Sequence, residues 1–243
     1  FFKIDFSGKP LPLASLKKPF LLSLGGLLLI YSFLTIARNM DWKDRLTLFK
    51  HDIYAVENSA QAQNLLGLHL LIQANSMQDV QEQIKTRLEG TEHLKKAVEI
   101  WPDFLNASFD MSKGYEGLSA DYAAINDIQK AKEYVNLAYD NYMYVLKLDS
   151  NFVNHSYDLA VRLQSMDDSA DIARSAILYE KYLTKYKASK EPYINLSYAY
   201  FKLNQFDKSI QTNHRLLAVQ PNSYEALINL GKTFYQIGPR DSA

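Results

Sequence analysis

In 243 residues, 27 lysines and arginines balance 27 aspartates and glutamates, so the net charge gives no reason to expect nucleic acid or an anionic substrate as partner. Cysteine is absent, which excludes disulfides, thiolate catalysis and cysteine-type zinc sites. Nine glycines and seven prolines are few for a turn-rich β protein.

The opening segment to Lys18 carries Gly8, Pro10 and Pro12 and reads as a loop at the end of an upstream membrane region, with Phe1 and Phe2 as the tail of an earlier span. Pro19 then suits a first helical turn, where its missing N–H goes unused. From Phe20 to Ala37 no charged residue occurs. As a helix that stretch reaches roughly 27 Å, close to the hydrocarbon thickness of a bilayer. The expected transmembrane helix covers 19–38. A signal-sequence core or the buried helix of a soluble protein would compete, but the run is long for either and lacks a small-residue cleavage site. Lys17 and Lys18 before it and Arg38 after it can snorkel to the headgroups, and Trp42 suits the same level. Lysines and arginines flank both ends alike, so charge does not orient the span.

Residues 39–59 stay charged but keep an apolar spacing, which predicts a junction helix. From 60 onward the chain reads as an array of about four helix–turn–helix repeats plus a partial one. Tyr193 plus thirty-four residues is Leu227, and NLGKTFYQIG repeats NLSYAYFKLN. This resembles the tetratricopeptide repeat (TPR), which implies an all-α fold, a right-handed α-solenoid continuing from the membrane helix. At its eighth position stand Gly67, Ser112, Ala160, Ser197 and Gly231; at its twentieth, Gly90, Ala138, Ser175, Ser209 and Ala243. All are small, as two closely crossing helices require. The seventh and eleventh positions are apolar or aromatic throughout. The twenty-seventh, expected small, holds Ala97, Val145, Tyr182 and Leu216. The first three repeats are long, which predicts insertions between their helices, at 73–85 and 119–130 for example. Arg45, Phe49, Asp52 and Ile53 fit the second helix of a repeat whose first helix is replaced by the membrane span, with no linker between.

Chemistry is sparse. Five scattered histidines have no metal spacing, and no phosphate loop or nucleophile elbow occurs, so neither a catalytic residue, a metal nor a cofactor is expected. Asn106, Asn154 and Asn195 begin N-x-S sequons inside predicted helices. What remains is the concave face of the solenoid, lined by the first helix of each repeat. Its sixth position holds Leu65, Asp110, Asp158, Asn195 and Asn229, and its ninth holds Leu68, Lys113, Val161, Tyr198 and Lys232. Asn can donate to and accept from a peptide backbone, binding an extended chain without reading its sequence. The pattern resembles the asparagine ladder of O-GlcNAc transferase repeats, although Asn is also common at this place in the repeat whatever it binds. The expected binding residues are Asp110, Lys113, Asp158, Asn195, Tyr198, Asn229 and Lys232.

The junction TIARNMDWKDRLTLFKHDI, Thr35 to Ile53, is more specific. Through Arg38, Asn39, Asp41, Trp42, Leu48, Phe49, Asp52 and Ile53 it resembles the end of the last span in polytopic transmembrane-and-tetratricopeptide proteins of the O-mannosyltransferase-like class. The resemblance implies catalytic residues in loops between earlier spans, and extracytoplasmic repeats that present acceptor proteins, in the bacterial periplasm ahead of the ER lumen. No catalytic residue carries over onto these 243 positions. The partners implied are a protein or extended peptide, the bilayer and other membrane subunits. The competing reading is a non-enzymatic single-span scaffold that docks partners at a secretion translocon or another envelope complex.

Overall fold

The structure, a computed structural model, describes residues 18–238. The expectations for the opening loop, Lys17 and Ala243 lie outside the described residues. The chain divides between Ala55 and Val56 into two compact units.

The first unit holds α1 (Lys18–Asp41) and α2 (Arg45–Asp52), followed by a 3-10 turn at Ile53–Ala55. Within α1, Phe20–Asn39 has a mean hydropathy of 2.1 and no part of it is buried by protein. Leu22, Leu29 and Phe33 are more than 70% exposed. A helix apolar on every side is, at this length and hydropathy, able to cross a membrane. The Thr35 hydroxyl within it donates to the Tyr31 carbonyl at 2.7 Å, a partner inside the same helix of the kind lipid surroundings favour. Asp44 caps α2, accepting from the Thr47 N–H at 2.8 Å and the Thr47 hydroxyl at 2.9 Å. Those bonds hold its carboxyl below the usual range. Arg38 turns back to Asp52, with N–O distances of 2.8 and 3.0 Å, so its charge meets a carboxylate of α2. Trp42 is exposed.

The second unit is a succession of antiparallel helix pairs. They are α3 (Ala60–Ser76) with α4 (Val80–Ile100), α5 (Leu105–Ala124) with α6 (Ile128–Leu148), α7 (Ser156–Gln164) with α8 (Ser169–Lys185), and α9 (Lys190–Lys202) with α10 (Phe206–Val219), then α11 (Tyr224–Ile237). A 3-10 turn at Ser150–His155 leads into α7. The starts of α3, α4, α6, α8 and α11 are capped by side chains that accept a backbone N–H: Ser59, Asp79, Asp127, Asp168 and Ser223. Each such cap is worth ~1 kcal/mol. In the second, third and fourth pairs the turn between the helices falls on a left-handed residue, Asn126 (φ 60°), Asp167 (φ 51°) and Asn204 (φ 57°), and Gly238 (φ 71°) closes α11. These are the residue types that tolerate that conformation. The expected insertions differ in form. Only residues 77–79 separate α3 from α4, and the surplus residues lengthen the helices instead, because added helical turns keep their backbone groups paired where a loop would not.

The small residues do what close crossing demands. Gly67, Ser112, Ala160 and Ser197 are buried, as are Gly90, Ala138, Ser175 and Ser209. A Cβ on Gly67 would lie 2.7 Å from the Gly90 carbonyl oxygen, so the two backbones touch. Gly231 has nothing within 4 Å of its Cβ position among the described residues, and Ala243, expected against it, lies outside them. The seventh-position residues Leu66, Met111, Leu159, Leu196 and Leu230 are all buried. The twenty-seventh position tolerates bulk: Val145 and Leu216 are fully buried beside Ala97.

Polar contacts then tie each pair to the next at about one repeat's separation. Arg87 meets Asp121 at 2.8 Å with both side chains 7% exposed. Lys132 meets Asp168 at 2.8 Å, Arg215 meets Glu180 at 2.9 Å and Lys190 meets Glu225 at 2.6 Å.

Candidate binding groove

First helices of successive pairs approach one another backbone to backbone (α3 with α5, α5 with α7, α7 with α9, α9 with α11), whereas among the described residues second helices meet only through side chains, as Arg215 on α10 meets Glu180 on α8. The stack is therefore tighter on the side of the first helices, and that side forms its inner face. All seven expected binding residues stand on these helices.

The structure gathers three of them at one place. Tyr198 on α9 and Asn229 and Lys232 on α11 rim a cavity of about 190 Å³, with Phe201 as a second aromatic wall. Tyr198 is half exposed. Positions six and nine meet here because α9 and α11 lie side by side, which places a ninth-position side chain of one beside the sixth and ninth of the next. The floor is made of hydroxyls: Ser197, Ser209 and Thr233, each no more than 1% exposed.

Asn195 is differently placed. It is half-buried, and its Nδ2 donates to the Tyr157 hydroxyl at 3.3 Å. Its backbone carbonyl accepts from Gln164 Nε2 at 3.2 Å, and the Tyr179 hydroxyl donates to Gln164 Oε1 at 2.7 Å. Burial pushes the Tyr179 phenol well above its ordinary value. Asn195 thus already links α9 to α7, and replacing it would disturb an inter-repeat joint as well as a groove contact.

Asp110, Lys113 and Asp158 belong to another polar cluster, on α5 and α7. The Lys113 ammonium lies 5.7 Å from the centre of the Phe109 ring. Burial raises the Asp110 carboxyl above its ordinary range, against a smaller opposite pull from Lys113. His155 joins the helices: Nε2 is 2.7 Å from Glu116 and Nδ1 is 3.4 Å from Asp158. Its ring packs edge-on against Phe109 and Tyr142. The Tyr142 phenol, which donates to the Phe152 carbonyl at 2.5 Å, is pushed up to about 12, chiefly by burial.

Sequence reasoning missed Glu116 and the floor hydroxyls. Glu116 stands 39 residues before His155, near one repeat's offset, and that spacing was the available signal. The serines were legible only as small spacers. Among the described residues no group of three or more His, Cys, Asp or Glu side chains is arranged to hold a metal ion.

No family model matches the chain. It is 22% identical over 222 residues to the protein O-mannosyl-transferase TMTC3 of Mus musculus, which covers 91% of this chain and 23% of that protein. The Homo sapiens protein of the same name is 22% identical over 214 residues, covering 88% of this chain and 22% of its own length. The chain therefore spans less than a quarter of the length of the curated relatives it matches. Among solved structures it is similar to a thermophilic TPR protein of Thermus thermophilus (15% identity, 77% of this chain and 88% of that one, TM-score 0.40). It is also similar to the MamA protein (16% identity, 76% and 86%, TM-score 0.45). The chain is a tetratricopeptide-type helical array with one N-terminal helix able to cross a membrane, similar in sequence to the protein O-mannosyl-transferase TMTC3.

Proposed function

We propose that the helical array captures an extended polypeptide along its inner face and presents it, on the extracytoplasmic side, to the sugar-transferring core of a polytopic membrane protein. The observation that carries the reading is the convergence of Tyr198, Asn229 and Lys232 on one cavity of that face. An aromatic wall supplies apolar contact at low entropic cost, the Asn amide both donates and accepts, and the ammonium attracts backbone carbonyls. The set can hold a peptide main chain without selecting a sequence. The membrane and glycosyltransferase setting is supported by the similarity to TMTC3 across most of the chain.

The test uses the whole chain in lipid nanodiscs with fluorescent unstructured peptides. Asn229→Ala together with Lys232→Ala weakens capture about tenfold, as loss of two exposed hydrogen-bonding groups would. The melting temperature stays within error of the parent, because neither side chain is buried. Capture that is unchanged in the double variant removes the reading.

Sidedness has a direct probe, because the chain has no cysteine of its own. A single cysteine at Tyr235, which is 89% exposed, is labelled by a membrane-impermeant maleimide in intact spheroplasts. Labelling only after lysis places the array in the cytoplasm and overturns the presenting role.

A further inference from the structure

The two edges of the array differ in what they show to solvent. Each helix runs antiparallel to the one before it, so the joints between pairs fall on one edge and the turns within pairs on the other. The joint edge exposes apolar side chains along its length. They are Val56 before α3, Ile100 and Trp101 at the end of α4, Leu148 at the end of α6, and Val219 and Tyr224 where α10 meets α11. Trp101 is 52% exposed although its ring stacks on Phe104 at 4.9 Å, so the indole is held in place with one face open. The joint between α8 and α9 shows cations instead, Lys185 and Lys187. Lys185 and Lys181 also border a cavity of about 280 Å³ with Ser150 and Asn151 of the 3-10 turn. The turn edge is different. Among its described turn residues and the helix ends they join, Ile125 and Ile128 alone are large, apolar and exposed. The other turns present Asp79, Asp167, Asn204 and Gln205 to water.

A phospholipid surface is the partner these features fit. Indole, phenol and aliphatic side chains are favoured at the headgroup boundary, and ammonium groups among them meet lipid phosphates. Chain connectivity favours the same partner. Only residues 42–59 lie between α1 and α3, and they join the array at the start of α3, which is on the joint edge. A short tether to a membrane-spanning helix holds the array at high local lipid concentration, so contacts too weak to recruit a free protein are still made. A second copy or a soluble partner would also cover apolar side chains, but neither accounts for the apolar edge being the one that the membrane-linked chain joins. We infer that the joint edge of the array lies on the bilayer surface, with Trp101 in the headgroup region. The inference rests on α1 crossing the membrane. It is independent of peptide capture and of which leaflet the array faces.

The test uses the chain's two tryptophans, Trp42 and Trp101. Trp42→Phe leaves Trp101 as sole reporter in the full chain, reconstituted into phosphatidylcholine nanodiscs that are plain or brominated on the acyl chains near the headgroup. Bromine quenches an indole only at contact, so Trp101 loses emission in the brominated discs. A matched reporter on the turn edge, Ile128→Trp with Trp42→Phe and Trp101→Phe, keeps its emission. Leu148→Glu with Val219→Glu sets carboxylates into the contact, which lipid disfavours, and Trp101 emission returns. Both side chains are exposed, so the helical circular dichroism is retained; where it is not, the two reporters decide. Trp101 emission indifferent to bromine, or equal quenching of both reporters, overturns the inference. So does quenching that persists in the folded glutamate variant. A blue shift of Trp101 without quenching identifies a protein on this edge and overturns it as well. Discs that do not take up the chain overturn it at its premise, and none of these outcomes bears on the capturing groove.

Discussion

Gly67→Ala lowers the stability of the repeat unit by about 1–3 kcal/mol, although it gives α3 a gain in helix propensity. What decides the sign is what the new methyl meets. On Gly67 it would lie 2.6 Å from Leu94 Cγ and 2.7 Å from the Gly90 carbonyl oxygen. A leucine tip can rotate away, but a backbone carbonyl engaged in a helix cannot without moving α4. Thermal melts followed by far-UV circular dichroism give a lowered midpoint. A Gly67→Ala variant as stable as the parent would mean that α3 and α4 do not cross at backbone contact.

The second large effect lies at the joint between the first two pairs. Arg87 Nε donates to Asp121 at 2.8 Å and Nη1 donates to Asn75 Oδ1 at 2.8 Å. The guanidinium lies on the backbone of Gly117, where a Cβ would come within 2.5 Å of Nη1. Asp121→Ala strands this cation in the interior and costs about 3–5 kcal/mol. Replacing both partners at once, Arg87→Met with Asp121→Leu, restores most of that loss, because the expense is an unpaired charge and not an absent attraction. Urea titrations of the two variants check the pair. A double variant as unstable as the single one would show that hydrogen bonding to Asn75, and not charge pairing, holds the joint.

The two cases show what can be read from residues in order. Positions that admit only slender side chains repeat along the chain, and Gly67, Ala138 or Ser209 could be placed from spacing because close packing leaves few alternatives. The same register places Tyr198, Asn229 and Lys232 on first helices, and the cavity they share is visible only in the structure. The remainder depends on neighbours in three dimensions. Arg87 and Asp121 look in sequence like two more solvated charges, and only the glycine beneath the guanidinium shows that they are enclosed. Ser197 and Ser209 read as spacers, since the direction of a hydroxyl is set by a carbonyl on another helix. The surplus residues of the long repeats, expected between the helices, extend α3 to α6 instead. Asn195 marks the limit from the other side, a groove position whose amide is already held by Tyr157.

The inter-repeat ion pairs are unequally sheltered, and this has a mechanical consequence. The Arg87–Asp121 pair is dry, at 7% exposure on both sides, while Lys132–Asp168, Arg215–Glu180 and Lys190–Glu225 are between 30% and 44% exposed. Mobile ions weaken the wet pairs and hardly reach the dry one. Raising ionic strength therefore loosens these three joints alike and leaves the one between α4 and α5 stiff. The array behaves as a linkage with one rigid knuckle, where the first two pairs join, and compliant ones after it.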